Sequence, residues 1–144
     1  FLVVGGAEYK SAKLSAPLAK AWILSVDAQD KITAEAIDTP CAARFLHKTL
    51  GSFDADGAVV LGGFTDFGQV ANGNACFFDL ATKTFSTVSQ GQPEFFARAG
   101  NAAERLIDDS LLLAGGLVNV TDLDGTPGLL ELYTPPSLKT NLAE

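Results

Sequence analysis

The chain has 144 residues, 47% of them apolar, with 17 acidic against 10 basic side chains for a formal charge of -7. That size suits one globular unit or part of one, and the negative charge repels phosphate backbones and anionic lipid, so nucleic acid is excluded as an expected partner. No apolar run approaches the roughly 20 residues that a membrane helix needs, so no membrane span is expected.

The sequence opens on Phe1 and contains no methionine, which leads us to expect a processed or excised piece of a longer translation product. Its first element is Phe1-Leu2-Val3-Val4-Gly5-Gly6, four apolar residues closed by a glycine pair. The same element returns as Ala58-Val59-Val60-Leu61-Gly62-Gly63 and as Leu111-Leu112-Leu113-Ala114-Gly115-Gly116, with the first glycine at positions 5, 62 and 115, spacings of 57 and 53. A short apolar run bounded by turn signals reads as a strand buried on both faces, and the glycines end it where side chains would collide or positive φ is required.

Further along the first copy, Ala21 to Asp27 is the next strand and Lys31 to Ala36 the one after it, separated by a polar turn. The connection Ala7 to Lys20 reads as a loop. In the second copy, Ala43-Arg44-Phe45-Leu46-His47 precedes the apolar run, Asp54-Ala55-Asp56-Gly57 suits a hairpin turn, and Ala75 to Asp79 and Thr84 to Val88 supply two more strands. In the third, Ala97-Arg98-Ala99-Gly100-Asn101 and the turn Asp108-Asp109-Ser110 precede the apolar run, and Leu129 to Thr134 follows it. Arg44 and Arg98 stand 18 and 17 residues before their glycine pairs, so the register holds between copies. Four antiparallel strands per repeat of about fifty residues match one propeller blade.

These residues resemble the kelch family and the central domain of galactose oxidase. The glycine pairs are intact, Val26-Asp27 and Phe78-Asp79 stand where the family has Tyr-Asp, and Ile32 and Phe85 replace its usual tryptophan; Tyr133-Thr134 departs from the aspartate. Arg44-Phe45-Leu46-His47 is similar to the Arg-x-x-His opening of secreted bacterial kelch proteins. The resemblance implies an all-β fold of kelch-type blades: residues 1–38 a partial blade holding strands two to four, 39–92 a complete blade, and 93–144 a third that is incomplete or nearly so, its fourth strand beginning at Lys139 to Ala143. All belong to one propeller of about 2.5 to 3 blades, too few to close.

Candidate chemistry is sparse. His47 is the only histidine, which excludes a His-rich metal centre inside the chain. Tyr9, Tyr133, His47 and Cys41 do not supply the two tyrosines, two histidines and cysteine of a copper-radical site. Asp54-x-Asp56-Gly57 and Asp122-x-Asp124-Gly125 echo a calcium loop, but neither carries the glutamate at its twelfth position. Asn119-Val120-Thr121 fits a glycosylation acceptor. Cys41 and Cys76 permit a disulfide without demanding one, Cys76 in its apolar run serving equally well as a buried thiol.

The expected function is a non-enzymatic interaction module without cofactor or metal, extracellular or at the cell surface. It presents the aromatics Tyr9, Phe64, Phe67, Phe95 and Phe96 to a protein partner or to the remaining blades of a longer parent chain. Arg44 and Arg98 either join neighbouring blades or bind a carboxylate of the ligand. Two alternatives are a structural repeat module of an extracellular assembly and a carbohydrate-binding or galactose-oxidase-like propeller.

Overall fold

The computed structural model describes residues 1–10, 13–39, 41, 43–52, 56–65, 73–87, 97–119 and 130–134. They form an all-β protein in which every paired strand is antiparallel, with no helix among them. The first copy of the repeat makes a three-stranded sheet in the order β1 (Leu2–Val4), β4 (Ala21–Val26), β5 (Ile32–Ile37). The second makes a four-stranded sheet, β6 (Lys48–Gly51), β7 (Gly57–Leu61), β8 (Ala75–Asp79), β9 (Thr84–Thr87), and the third a three-stranded one, β10 (Ala102–Arg105), β11 (Leu111–Ala114), β12 (Leu130–Tyr133).

One departure from the expected elements is the segment read as a loop between Ala7 and Lys20. It folds into its own hairpin, β2 (Ala7–Lys10) and β3 (Lys13–Pro17), with a register shift between Ala7 and Tyr9. Its sequence lacks the dense apolar alternation that marks a half-buried strand, and the hairpin joins none of the larger sheets.

Strand period two builds the core. Ala58, Val60, Cys76, Phe78 and Phe85 point from the second sheet toward the first, meeting Val4, Ala21 and, at the edge, Leu2, Ile23 and Ile37. Val59, Leu61, Ala75 and Phe77 point the other way, onto Leu111, Leu113 and Tyr133 of the third sheet. Val59, Val60 and Leu61 are at most 1% exposed, and each such side chain contributes about 1.5–3 kcal/mol of hydrophobic stabilisation.

The expectation that all three apolar runs are buried on both faces holds for β7 alone. Val3, in the outward parity of the first run, is 41% exposed, and Leu112 and Ala114, in the outward parity of the third, are only half-buried. The reason is position: among the described residues only the second sheet has a neighbouring sheet packed on each face.

The turns show what the aspartates do. Asp27 Oδ1 accepts from the Gln29 and Lys31 amides, Asp79 Oδ1 from that of Thr82, and Asp108 Oδ1 from the Ser110 amide and hydroxyl. Each closes a tight hairpin in which one residue, Asp30, Lys83 or Asp109, takes a positive φ. The same bonds hold the Asp79 and Asp108 carboxyls below the usual carboxylate range, the amide of Thr82 and the hydroxyl of Ser110 being the leading causes. Between β6 and β7 a serine serves instead, Ser52 Oγ accepting from the Asp56 and Gly57 amides.

Candidate functional site

Among the described residues the repeat-related arginines are the most deeply placed charged groups, each 2% exposed. Arg44 Nη1 donates to the carbonyls of Gly62 and Asn74, at 3.1 and 3.2 Å, and Arg98 Nη1 to that of Gly115 at 3.2 Å. Arg98 Nη2 also pairs with Glu131. Each guanidinium thus ties the start of its own repeat to the first glycine of its own glycine pair.

The main chain of the same arginines does the cross-repeat work. The amide of Gly6 donates to the Arg44 carbonyl at 2.8 Å, and that of Gly63 to the Arg98 carbonyl at 2.9 Å. One repeat's second glycine is therefore fastened to the next repeat's arginine. The side-chain bonds named here thus lie within a repeat, and the main-chain bonds link one repeat to the next.

The glycine pairs are required here. Gly5, Gly62 and Gly115 adopt φ near 61, 64 and 62°, and Gly6, Gly63 and Gly116 near 101, 89 and 98°. A Cβ on Gly5 would come within 2.5 Å of the Arg44 carbonyl oxygen, and one on Gly63 within 2.7 Å of that of Phe45.

His47 and Asn101 occupy matching places three residues after each arginine. Asn101 is 2% exposed, and both His47 Nδ1 and Asn101 Oδ1 are buried with no hydrogen-bond partner among the described residues. His47 lies against Gly5 and Gly63, at the junction of the first and second repeats. Burial first, then the charge of Arg44, lowers its proton affinity, partly offset by hydrogen bonds to the backbone of Val4 and Arg44.

The aromatic anchors fare unevenly. Tyr9 is 69% exposed on the β2–β3 hairpin. Phe64 is 1% exposed: its amide and carbonyl pair with those of Phe45, and the two rings lie 5.7 Å apart, so its expected role as an exposed anchor is corrected. Phe64 directly follows the glycine pair, and the main-chain bonds to Phe45 hold it against the Arg44 segment. Phe67, Phe95, Phe96 and the aspartates of both calcium-like loops other than Asp56 lie outside the described residues, as does Lys139 to Ala143.

Cys41 and Cys76 are joined in a disulfide. It ties the segment preceding β6 to β8 inside the core shared by the first two sheets. Closing a loop of 35 residues in sequence separation restricts the unfolded chain by about 3–4 kcal/mol in the chain-entropy account.

Between the first and second sheets lies a cavity of about 380 Å³, lined among others by Phe1, Leu2, Ile23, Thr49, Gly51 and Phe78. Nothing in the one-dimensional pattern announced it, because it depends on which edge of the first sheet is uncovered. Among the described residues no three His, Cys, Asp or Glu side chains gather as a metal site. No helix among them is long and apolar enough to cross a membrane.

No family model and no curated protein matches the sequence. Among solved structures, the fold is similar to that of a fungal alcohol oxidase of the AA5 family, described as catalytically diverse and in complex with copper, with a TM-score of 0.72 and 17% identity. The match covers 94% of this chain and 28% of the oxidase, so the chain spans less than a third of that protein's length. This finding corrects the expectation of a non-enzymatic interaction module, and with it the expected absence of enzyme character loses its support: the architecture is shared with an oxidase, and the galactose-oxidase-like alternative stands closer. At this identity the likeness is one of fold, an all-β architecture of the kelch and galactose-oxidase kind at coarse level.

Proposed function

We propose that the chain is the scaffold portion of a galactose-oxidase-like β-propeller that acts on an alcohol or carbohydrate hydroxyl. The observation that carries this reading is the likeness to the copper alcohol oxidase across 94% of the chain. The fastened repeats support it: a rigid stack of sheets holds loops in fixed relation, which is what a site assembled from several loops needs.

The described residues do not fit a copper site themselves. Cys41 and Cys76 are bound to each other, Tyr133 is 3% exposed within the core, Tyr9 stands on an exposed hairpin, and His47 is packed at a repeat junction. No catalytic step is therefore assigned to them. In this reading residues 1–38, 39–92 and 93–144 are consecutive blades of the propeller, and the disulfide and turn-rich surface suit an extracytoplasmic, oxidising compartment.

The test is a copper-loaded preparation of the polypeptide that bears this segment, assayed for hydrogen peroxide release with primary alcohols and galactosides. Copper-dependent peroxide release supports the proposal; no release across both substrate classes, with copper bound, rejects it.

A further inference from the structure

β5 is the last strand of the first sheet, and the chain continues from it into the second repeat, where the next described strand, β6, belongs to another sheet. Its outer edge is therefore a rim of the repeat, and among the described residues no strand pairs with it. β9 holds the same place in the second sheet but has four residues against six in β5. Open edges are commonly blunted by proline, lysine or a bulge. Ile32-Thr33-Ala34-Glu35-Ala36-Ile37 has none of these and pairs with β4 over its whole length. Its one charge, Glu35, is matched by Lys83 of the same chain at 2.6 Å.

The main chain fixes which residues face the rim. Leu24 exchanges hydrogen bonds with Phe1 on β1, and the Asp27 amide donates to the Lys31 carbonyl at 3.1 Å. Thr33, Glu35 and Ile37 therefore bond to β4, and by the alternation of an antiparallel ladder the amides and carbonyls of Ile32, Ala34 and Ala36 face outward. Two copies of this edge pair symmetrically and antiparallel only about a two-fold axis perpendicular to the sheet, which sets residues of like parity opposite each other. An axis at Glu35 opposes two carboxylates directly, which is destabilising. An axis at Thr33 sets Ala36 against the turn residue Asp30, whose φ is 59°. An axis at Ala34 sets Ile32 against Ala36 and Thr33 against Glu35, uses every outward-facing amide and carbonyl of the strand, and brings no like charges directly opposite.

We propose that β5 is an interface between two copies of this chain, their rim strands pairing antiparallel about Ala34. The Ala34 amide and carbonyl of each copy bond to those of the other, and Ile32 of each copy exchanges the same bonds with Ala36 of the other. The mode is strand addition, in which main-chain bonds supply affinity and the alternate side chains fix the register. A contact one strand wide makes a small interface, so the dimer is weak and depends on concentration. This goes beyond the oxidase reading and does not depend on it.

The test is sedimentation velocity of the full chain over a concentration series, with cysteine cross-linking to read the register. The original chain is expected to shift from monomer to dimer as concentration rises. Ala34→Pro removes an amide that faces the rim and none that bonds to β4, as edge strands tolerate. It is expected to weaken dimerisation by about tenfold or more with the thermal melt of the dilute chain unchanged. Ala34→Cys, on the axis, is expected to form an intermolecular disulfide on mild oxidation, because a hydrogen-bonded antiparallel pair has the Cα separation a disulfide needs. Ala36→Cys, which lies opposite Ile32 rather than its own counterpart, is expected not to. The two cysteine variants read the contact without altering the backbone. A chain that stays monomeric throughout, dimerisation unchanged by Ala34→Pro, or cross-linking at position 36 as strong as at 34 overturns the proposal.

Discussion

The second and first sheets are built from the same repeat, yet their outward residues meet opposite surroundings. Val60 in β7 is fully buried against the first sheet, whereas Val3, its counterpart in β1, is 41% exposed; Phe85 in β9 is 8% exposed, whereas Ile32 in β5 is 68% exposed. The sequence type is the same in each pair and only the presence of a neighbouring sheet differs. In a stack of repeats, burial is a property of the junction rather than of the strand.

Substituting a charge at matched positions breaks this comparison most forcefully. Val60→Asp places an unpaired carboxylate in the core between two sheets, and we expect loss of cooperative folding, read by thermal melting and near-ultraviolet circular dichroism. Val3→Asp, at the corresponding place, is expected to shift stability by no more than about 0.5 kcal/mol. Equal effects at the two positions would show that both faces of the first sheet are covered.

The disulfide sharpens the contrast between junctions, because it lies within the core between the first and second sheets. Cys41→Ser with Cys76→Ser is expected to cost about 3–4 kcal/mol in denaturant melts. An unchanged midpoint under oxidising conditions would place the cysteines apart in solution.

A smaller effect is expected within the third repeat. Arg98→Ala removes the side chain that satisfies the Gly115 carbonyl and Glu131, and leaving buried groups unpaired costs about 1–3 kcal/mol. Arg98→Lys is expected to recover only part of it, since an ammonium does not span both partners as a planar fork does.

How much of this was legible beforehand depends on the kind of residue. The glycine pairs and the aspartates that close the β4–β5 and β8–β9 turns were visible, because positive φ and Asx turns leave strong local signatures. The matched register of Arg44 and Arg98 was visible too, but the division of labour between their side chains and carbonyls was not, since it depends on three-dimensional approach. Phe64 was misread for a related reason: a backbone bridge to Phe45 converts an apparent loop aromatic into core. The β2–β3 hairpin escaped because its sequence lacks a dense apolar alternation. The binding-module expectation failed at a different level, because a fold-level pattern does not state what chemistry its loops carry.

The smallest expected effect is a pH dependence at the junction of the first two repeats. Burial and Arg44 lower the proton affinity of His47, so below about pH 6.5, the ordinary histidine value, the unfolded chain takes up the proton first. The contribution of His47 is therefore complete above about pH 6.5 and declines as pH falls through that value. His47→Asn, which installs the residue type found at the matching position 101, is expected to flatten the decline below about pH 6.5. An unchanged slope would place the imidazole in solvent.

Residue-resolved amide hydrogen exchange on the full chain tests the central claim most directly, that among the described residues the second sheet is packed on both faces while the sheets flanking it are each packed on one. We expect the slowest amides in Val59 to Leu61 and Ala75 to Phe78, exchanging only through global unfolding, and Leu2 and Leu132 exchanging through local opening at least about tenfold faster. Protection of Leu2 and Leu132 equal to that of Val60 would contradict the account.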